Sequence, residues 1–264
     1  MGSIDVNPYA LMFSMKTVNR WTDNVNANLL GSAKTAYKSM DIYFGGGLNT
    51  VTYRPGTNER LGINGAENSI NVDHTTISFK QGDIVQSTIK THLAIQGEGF
   101  FVVEDASTGN RLFTRNGEFH VDTNGFVRTQ EGLFVLNTDN TRAKVSSADG
   151  ESIDSLDPFH LPVIAAGSKL AIATFADLQA LKFNNKFGSQ YYDSSTYAIP
   201  TILDYDDNAL SASTTIYSKK LEASNVNTAK QITELSVSKN LFEALTKQFL
   251  VYLNNVDTAL SMIR

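Results

Sequence analysis

Two stretches of the chain repeat apolar residues with the period of a helix, and the long middle does not. From Leu11 the apolar positions are Leu11, Met15, Val18, Val25 and Leu29, spaced by four, three, seven and four, with Thr22 in the missing place. This is a heptad a/d seam with one polar slip, and it predicts a helix running to Gly31. At the other end Leu235, Phe242, Phe249, Val256 and Ile263 stand seven apart. Ile232, Leu253 and Leu260 take the companion positions, where Lys239 and Thr246 are the polar exceptions. No Pro or Gly interrupts Leu221 to Arg264. A helix of roughly 35 residues follows, about 50 Å long at the ordinary helical rise. Ser224 or Asn225 is placed to cap its start.

Between these seams the pattern changes. Every proline except Pro8, and every glycine except Gly2 and Gly31, lies between residues 45 and 200. Short β-rich runs (Phe100 to Glu104, Arg111 to Arg115, Glu118 to Asp122, Phe126 to Gln130, Leu133 to Leu136) are separated by turn residues. The separators are "DASTGN", Asn116-Gly117, Asn124-Gly125 and Glu131-Gly132. Asn-Gly is a strong hairpin signal because both residues accept positive φ, so this stretch predicts a β-meander. Leu170 to Phe183 reads as a strand followed by a turn. Phe187 to Ser218 is rich in Ser, Tyr and Asp and reads as loop with short strands. "FGGGLN" (Phe44 to Asn49) reads as a flexible hinge.

The resulting layout is an α+β chain: an N-terminal helix and hinge over 1–47, a mainly antiparallel β domain over 48–220, and a C-terminal helix over 221–264. Matching a/d seams allow the two helices to pair as a coiled coil. Burial of the seam alone falls short of the cost of ordering them. Helices from other subunits, or packing of a helical hairpin on its own β domain, supply the remainder.

Composition narrows the chemistry. The chain has 264 residues, a net charge of −5 and no cysteine. The acidic balance argues against nucleic acid as a partner, because phosphate binding needs a basic face. Disulfides and thiolate chemistry are excluded. No run of apolar residues is long enough for a membrane-spanning helix. The first 20 residues lack the basic and apolar regions of a secretory signal, and Val6 breaks the myristoylation pattern.

The motifs that could carry catalysis fail on spacing. Gly97-Glu98-Gly99 lacks the third glycine of a dinucleotide fingerprint, since Val102 stands there, and a strand-like run follows instead of a helix. Glycines in such a strand mark a bulge or a close backbone approach, with Phe100 and Phe101 giving bulk on its two faces. His74, His92, His120 and His160 have no i,i+3 or i,i+4 partner, so no metal site is predicted. Asp122-Thr123-Asn124-Gly125 has its glycine too early for a calcium loop and fits a hairpin turn. No Gly-x-Ser-x-Gly elbow occurs, "FGGGLN" lacks the Lys-Ser/Thr of a P-loop, and Trp21 reads as helix packing. No cofactor is predicted.

The stretch Leu93 to Asn137 resembles the central motif of the bacterial flagellar rod and hook proteins. Its elements are Gly97-x-Gly99-Phe100-Phe101, then Arg115-Asn116-Gly117, then Asp122-x-x-Gly125. The tail resembles the same family through Leu221, Glu222, Ser224, Asn225, Val226 and Asn227, which match its Leu-Glu-x-Ser-Asn-Val-Asn motif. Asn26 to Phe44 is similar to the family's head segment. It departs at Gly31, where a second Asn is usual, at Lys34, where Thr is frequent, and at Ala36, where Gly is usual. Phe79 to Thr88 is similar to the approach to the central motif.

The resemblance implies a structural subunit and not an enzyme. Such a subunit is exported through the flagellar type III apparatus and assembles with itself and other axial proteins into a helical tube of the basal body. The length is similar to that of rod proteins; a hook or hook-like filament subunit is the alternative. From another class, a ligand-binding or enzymatic β domain with helical tails would need convergent carboxylates or histidines in a deep pocket.

Overall fold

A computed structural model describes residues 8–47, 51–53, 60–63, 69–89, 91–144, 170–194, 199–204 and 214–263. Helix α1 spans Pro8–Gly31 and helix α2 spans Thr228–Ile263. Pro8 suits a first turn, where its fixed φ and missing N–H cost nothing. The start of α2 is capped by Asn227, whose Oδ1 accepts from Lys230 N at 3.0 Å. The cap therefore falls later than Ser224 or Asn225. Those two are used otherwise: Ser224 Oγ accepts from Val226 N, and Asn225 bonds other segments. The fold is α+β with mainly antiparallel sheets between terminal helices.

The chain divides into two compact units: Met1–Leu29, Met40–Thr76 and Asn227–Arg264 in one, Leu30–Ser39 and Ile77–Val226 in the other. In the first, β1 (Met40–Gly47) pairs with β4 (Ser69–Ile77), and β2 (Val51–Tyr53) pairs with β3 (Arg60–Ile63). Residues Phe44 to Gly47 thus belong to a strand and not to a hinge; Leu48 and Asn49 lie outside the described residues.

The second unit holds β5 (Ile84–Gln86), β6 (Leu93–Gln96), β7 (Phe100–Glu104), β8 (Arg111–Thr114), β9 (Phe119–Val121), β10 (Val127–Thr129) and β11 (Phe134–Val135). It continues with β12 (Ala171–Thr174), a 3-10 turn at Leu178–Ala180, β13 (Lys182–Asn184), β14 (Gly188–Asp193), β15 (Thr201–Asp204), β16 (Thr215–Ser218) and β17 (Lys220–Glu222). The stretch after Phe187 therefore carries well-formed strands. These are the short strands expected there, four to six residues long, and their alternating polar residues suit a sheet with one wet face.

Nine strands form the main sheet, in the order β13-β14-β8-β7-β11-β10-β9, with β12 pairing β7 and β15. This is not a simple meander: β11 pairs with β7, so β8 and β9 are not neighbours. One edge of β7 is shared, Val103 and Glu104 facing β11 while Phe100 and Phe101 face β12. Both faces of β7 are buried. Phe101 and Val103 join Leu112, Phe119 and Ile172 in one core; Phe100 and Val102 join Phe113, Ala173 and Tyr192 in the other. The two faces predicted for Phe100 and Phe101 are thus both core faces. Antiparallel ladders β6–β16 and β5–β17 bring the tail strands back to the approach segment.

Candidate functional site

The head, central and tail motifs meet at one buried ionic cluster in the second unit. Glu222, the last residue of β17, is fully buried. Its Oε1 accepts from Lys38 Nζ at 2.5 Å and from Gly82 N at 2.8 Å. Its Oε2 lies 3.6 Å from Arg115 Nη1. Lys38 Nζ also donates to the Lys80 carbonyl at 2.9 Å, and Arg115 Nη2 to the Gly97 carbonyl at 2.7 Å. The Arg115 guanidinium lies 5.1 Å from the centre of the Phe100 ring. Burial lowers the Lys38 and Arg115 pKa values from their ordinary ranges, and the Glu222 charge opposes both shifts. Burial raises that of the Tyr192 phenol alongside. Two cations against one carboxylate, taken out of water, hold a fixed arrangement only while all three are present.

Backbone bonds reinforce the cluster. Ala36 N donates to the Glu222 carbonyl at 2.7 Å and Asn225 N to the Tyr37 carbonyl at 3.2 Å. Asn225 Oδ1 accepts from Ser39 N at 2.8 Å, while its Nδ2 donates to Ser78 and Lys80 carbonyls. Leu221 pairs with Val85 across the β5–β17 ladder, and Val226 is half-buried. The tail motif is thus a clasp over the head and the approach segment.

The central motif residues act through close approach and turns. Gly99 has φ 115°, and a Cβ there would lie 2.5 Å from Ile172 Cγ2. Asn116-Gly117 does not close a hairpin, because β8 and β9 are not partners. Asn116 instead accepts from Glu118 N at 3.1 Å. A Cβ on Gly117 would lie 1.7 Å from the Leu93 carbonyl oxygen, so only glycine fits. Asn124-Gly125 does turn β9 into β10, with Gly125 at φ 84° and Asp122 Oδ1 accepting from Asn124 N and Phe126 N.

A cleft of about 570 Å³ opens beside Gly97 to Gly99, with Phe79, Phe100, Arg115 and Phe175 in its wall. Glu98 and Asp177 bring negative charge to it, and Asp177 caps the only helical turn there, which is unfavourable for a phosphate. His74 bonds Asp73, His92 bonds Ser87 and His120 sits in β9, while His160 lies outside the described residues. Among the described residues no group of three potential metal ligands converges.

The helix seams form the second candidate surface. On α1, Leu11, Val18 and Val25 are buried, and Met15 and Leu29 are half-buried. On α2, Leu235, Phe242 and Phe249 are half-buried. The companion column differs from the sequence reading. Ile232, Leu253 and Leu260 are 57%, 41% and 59% exposed, and Val256 is exposed as well. The inward companions are Gln231 and Ser238, both buried, followed by half-buried Leu245 and Tyr252. The Thr22 and Ser238 hydroxyls lie 3.2 Å apart, and Asn28 Nδ2 reaches Gln231 Oε1 at 3.3 Å. Asn28 also brackets Met40 at the start of β1, donating to its carbonyl and accepting from its N–H. Hydrophobic periodicity missed Gln231 and Ser238 because both are polar. Beside the column Leu235–Phe242–Phe249, Gln231 and Ser238 bond to α1, while Ile232, Leu253 and Leu260 on its other side are exposed. The Ile263 side chain lies outside the described residues.

Residues 94–172 match the family described as the flagellar hook protein FlgE/F/G D1 domain. The chain is 41% identical to the flagellar hook protein FlgE of Helicobacter pylori (strain ATCC 700392 / 26695) over 93 residues, 34% of this chain but 13% of that protein. It is 27% identical to the flagellar basal-body rod protein FlgG of Bacillus subtilis (strain 168) over 233 residues, 85% of this chain and 83% of the relative. With the flagellar basal-body rod protein FlgF of Caulobacter vibrioides it shares 25% identity over 252 residues, 90% of each chain. Fold, motifs and matches together make the chain similar to the flagellar rod and hook proteins, the family match itself covering residues 94–172. Among these relatives the rod proteins FlgG of Bacillus subtilis and FlgF of Caulobacter vibrioides are similar along most of the chain.

Proposed function

We propose that this chain is a structural subunit of the flagellar rod that builds a helical tube with copies of itself. The observation that carries the reading is the apolar surface left on α2: Ile232, Leu250, Leu253, Leu260 and Met262 stand exposed in a chain whose relatives include a flagellar basal-body rod protein. A helix apolar on several sides is stable in water only when neighbours cover it. The two seams pair as a coiled coil within the chain, and the exposed columns pack against helices of adjacent copies. The β domain, taken as 48–220 between axial segments 1–47 and 221–264, stiffens the tube. Other rod and hook proteins and the flagellar type III export apparatus are the remaining partners, and the rod in the periplasm is the location. The chain performs no catalysis and takes no cofactor, small-molecule substrate or nucleic acid.

The hook reading has one observation in its favour, the 41% identity to a hook protein over the central stretch. Electron microscopy of the purified protein at high concentration separates the readings. Straight tubes support a rod subunit, curved or supercoiled tubes a hook subunit, and persistent monomers overturn both.

A further inference from the structure

The contacts that complete the β unit span far more chain than those of its sheet. β7–β8, β9–β10 and β10–β11 are joined by short turns. Residues 214–226 instead reach across the chain. Thr214 donates to the Glu98 carbonyl across 116 residues, and Glu222 accepts from Gly82 N across 140. Glu222 meets Lys38 across 184 residues, and Asn225 meets Ser39 N across 186. Local pairings form ahead of distant ones, since each distant contact first closes a long loop. Charge adds a second reason. Among the described residues Glu222 is the only carboxylate in an ion pair with Lys38 or Arg115. Until it arrives, neither cation can leave water without a large penalty.

We infer that residues 214–226 are a latch that closes last and completes the β unit only when the segment 36–39 is also in place. The sheet grows from the contiguous stretch 100–136, whose pairings need nothing from the tail. The tail then lays β16 on β6 and β17 on β5, and delivers the Glu222 carboxylate to Lys38 and Arg115. Ala36 N, Ser39 N and Gly82 N donate to groups of Glu222 and Asn225, so closure tests the chain from residue 36 to residue 225 in one step. A chain cut before the tail keeps the means to pair its sheet but not to bury its two cations. This device operates whatever the assembled protein does.

The test is pulse-labelled hydrogen exchange during refolding of the full chain, read at single amides. Asp122, Thr129 and Leu136, whose N–H groups are bonded within the sheet region, gain protection in an early phase. Ala36, Ser39, Gly82 and Ala223 gain it in a later one. At equilibrium Glu222→Gln lowers protection of the latch amides by at least about tenfold relative to the sheet amides. Simultaneous protection of both sets in the unmodified chain overturns the inference, as does an equal loss in both sets in the variant. Should Glu222→Gln not fold, the order of protection in the unmodified chain decides alone.

Discussion

The β unit and α2 treat their apolar residues in opposite ways. Phe100 to Val103, Phe113, Phe119 and Ile172 are buried by residues of the same chain, and even the charges of Lys38, Arg115 and Glu222 are enclosed. On α2 the large apolar residues from Leu250 onward stay half or more exposed in several cases, Met262 at 81%. The β unit encloses its apolar residues itself; on the reading proposed above, neighbouring copies cover those of α2. Self-sufficiency is purchased with long-range polar contacts in the first case and withheld in the second.

The largest effect that sharpens this contrast comes from Glu222→Ala. Leaving two buried cations unpaired lowers the stability of the β unit by about 3–5 kcal/mol, measured by urea unfolding. A loss below about 1 kcal/mol would mean that the cluster is not enclosed as described. Asn227→Ala removes the α2 cap and costs about 1 kcal/mol of helix stability, seen as lost helical circular dichroism on heating, with the β unit unchanged.

A similar but opposite change is expected at Ala36. Its φ is 56°, in the left-handed region, and it is buried. Ala36→Gly relieves that backbone and raises the unfolding midpoint by about 1 kcal/mol in stability. The smallest effect concerns acid. Bonds from Lys186 and Ser107 hold the Asp105 carboxyl well below the ordinary carboxylate range. Its contribution is therefore complete above about pH 4 and is lost as pH falls further. The stability gap between the native chain and Asp105→Asn should narrow on acidification, and a gap independent of pH would contradict this assignment.

The helices were legible because a heptad repeat needs only apolar letters, and Leu11, Val18 and Val25 carry it to within a few residues of the observed ends. The hairpin at Asn124-Gly125 was legible for a similar reason: the turn needs positive φ, and Gly125 supplies it. Asn116-Gly117 misled because glycine has a second use, here the approach of Leu93, which no local pattern encodes. The inward column of α2 misled because Gln231 and Ser238 are polar letters in buried places, satisfied by Asn28 and Thr22 more than 200 residues away. The ionic cluster was visible only as three separate motifs. Their meeting depends on β17 returning to β5, a long-range pairing that spacing does not reveal. Position 36 acquires a physical meaning in the fold: its φ of 56° is one that glycine favours.

The central claim is that α2 serves neighbours while the β unit serves itself, and one double variant tests it most directly. Phe249→Asp with Leu253→Asp places charge on the half-buried column and on its exposed flank. Urea unfolding of the β unit and electron microscopy of concentrated protein are then read on the same sample. The account predicts an unfolding curve for the β unit shifted by less than about 0.5 kcal/mol and a complete loss of tubes. Tubes that form as before would contradict it.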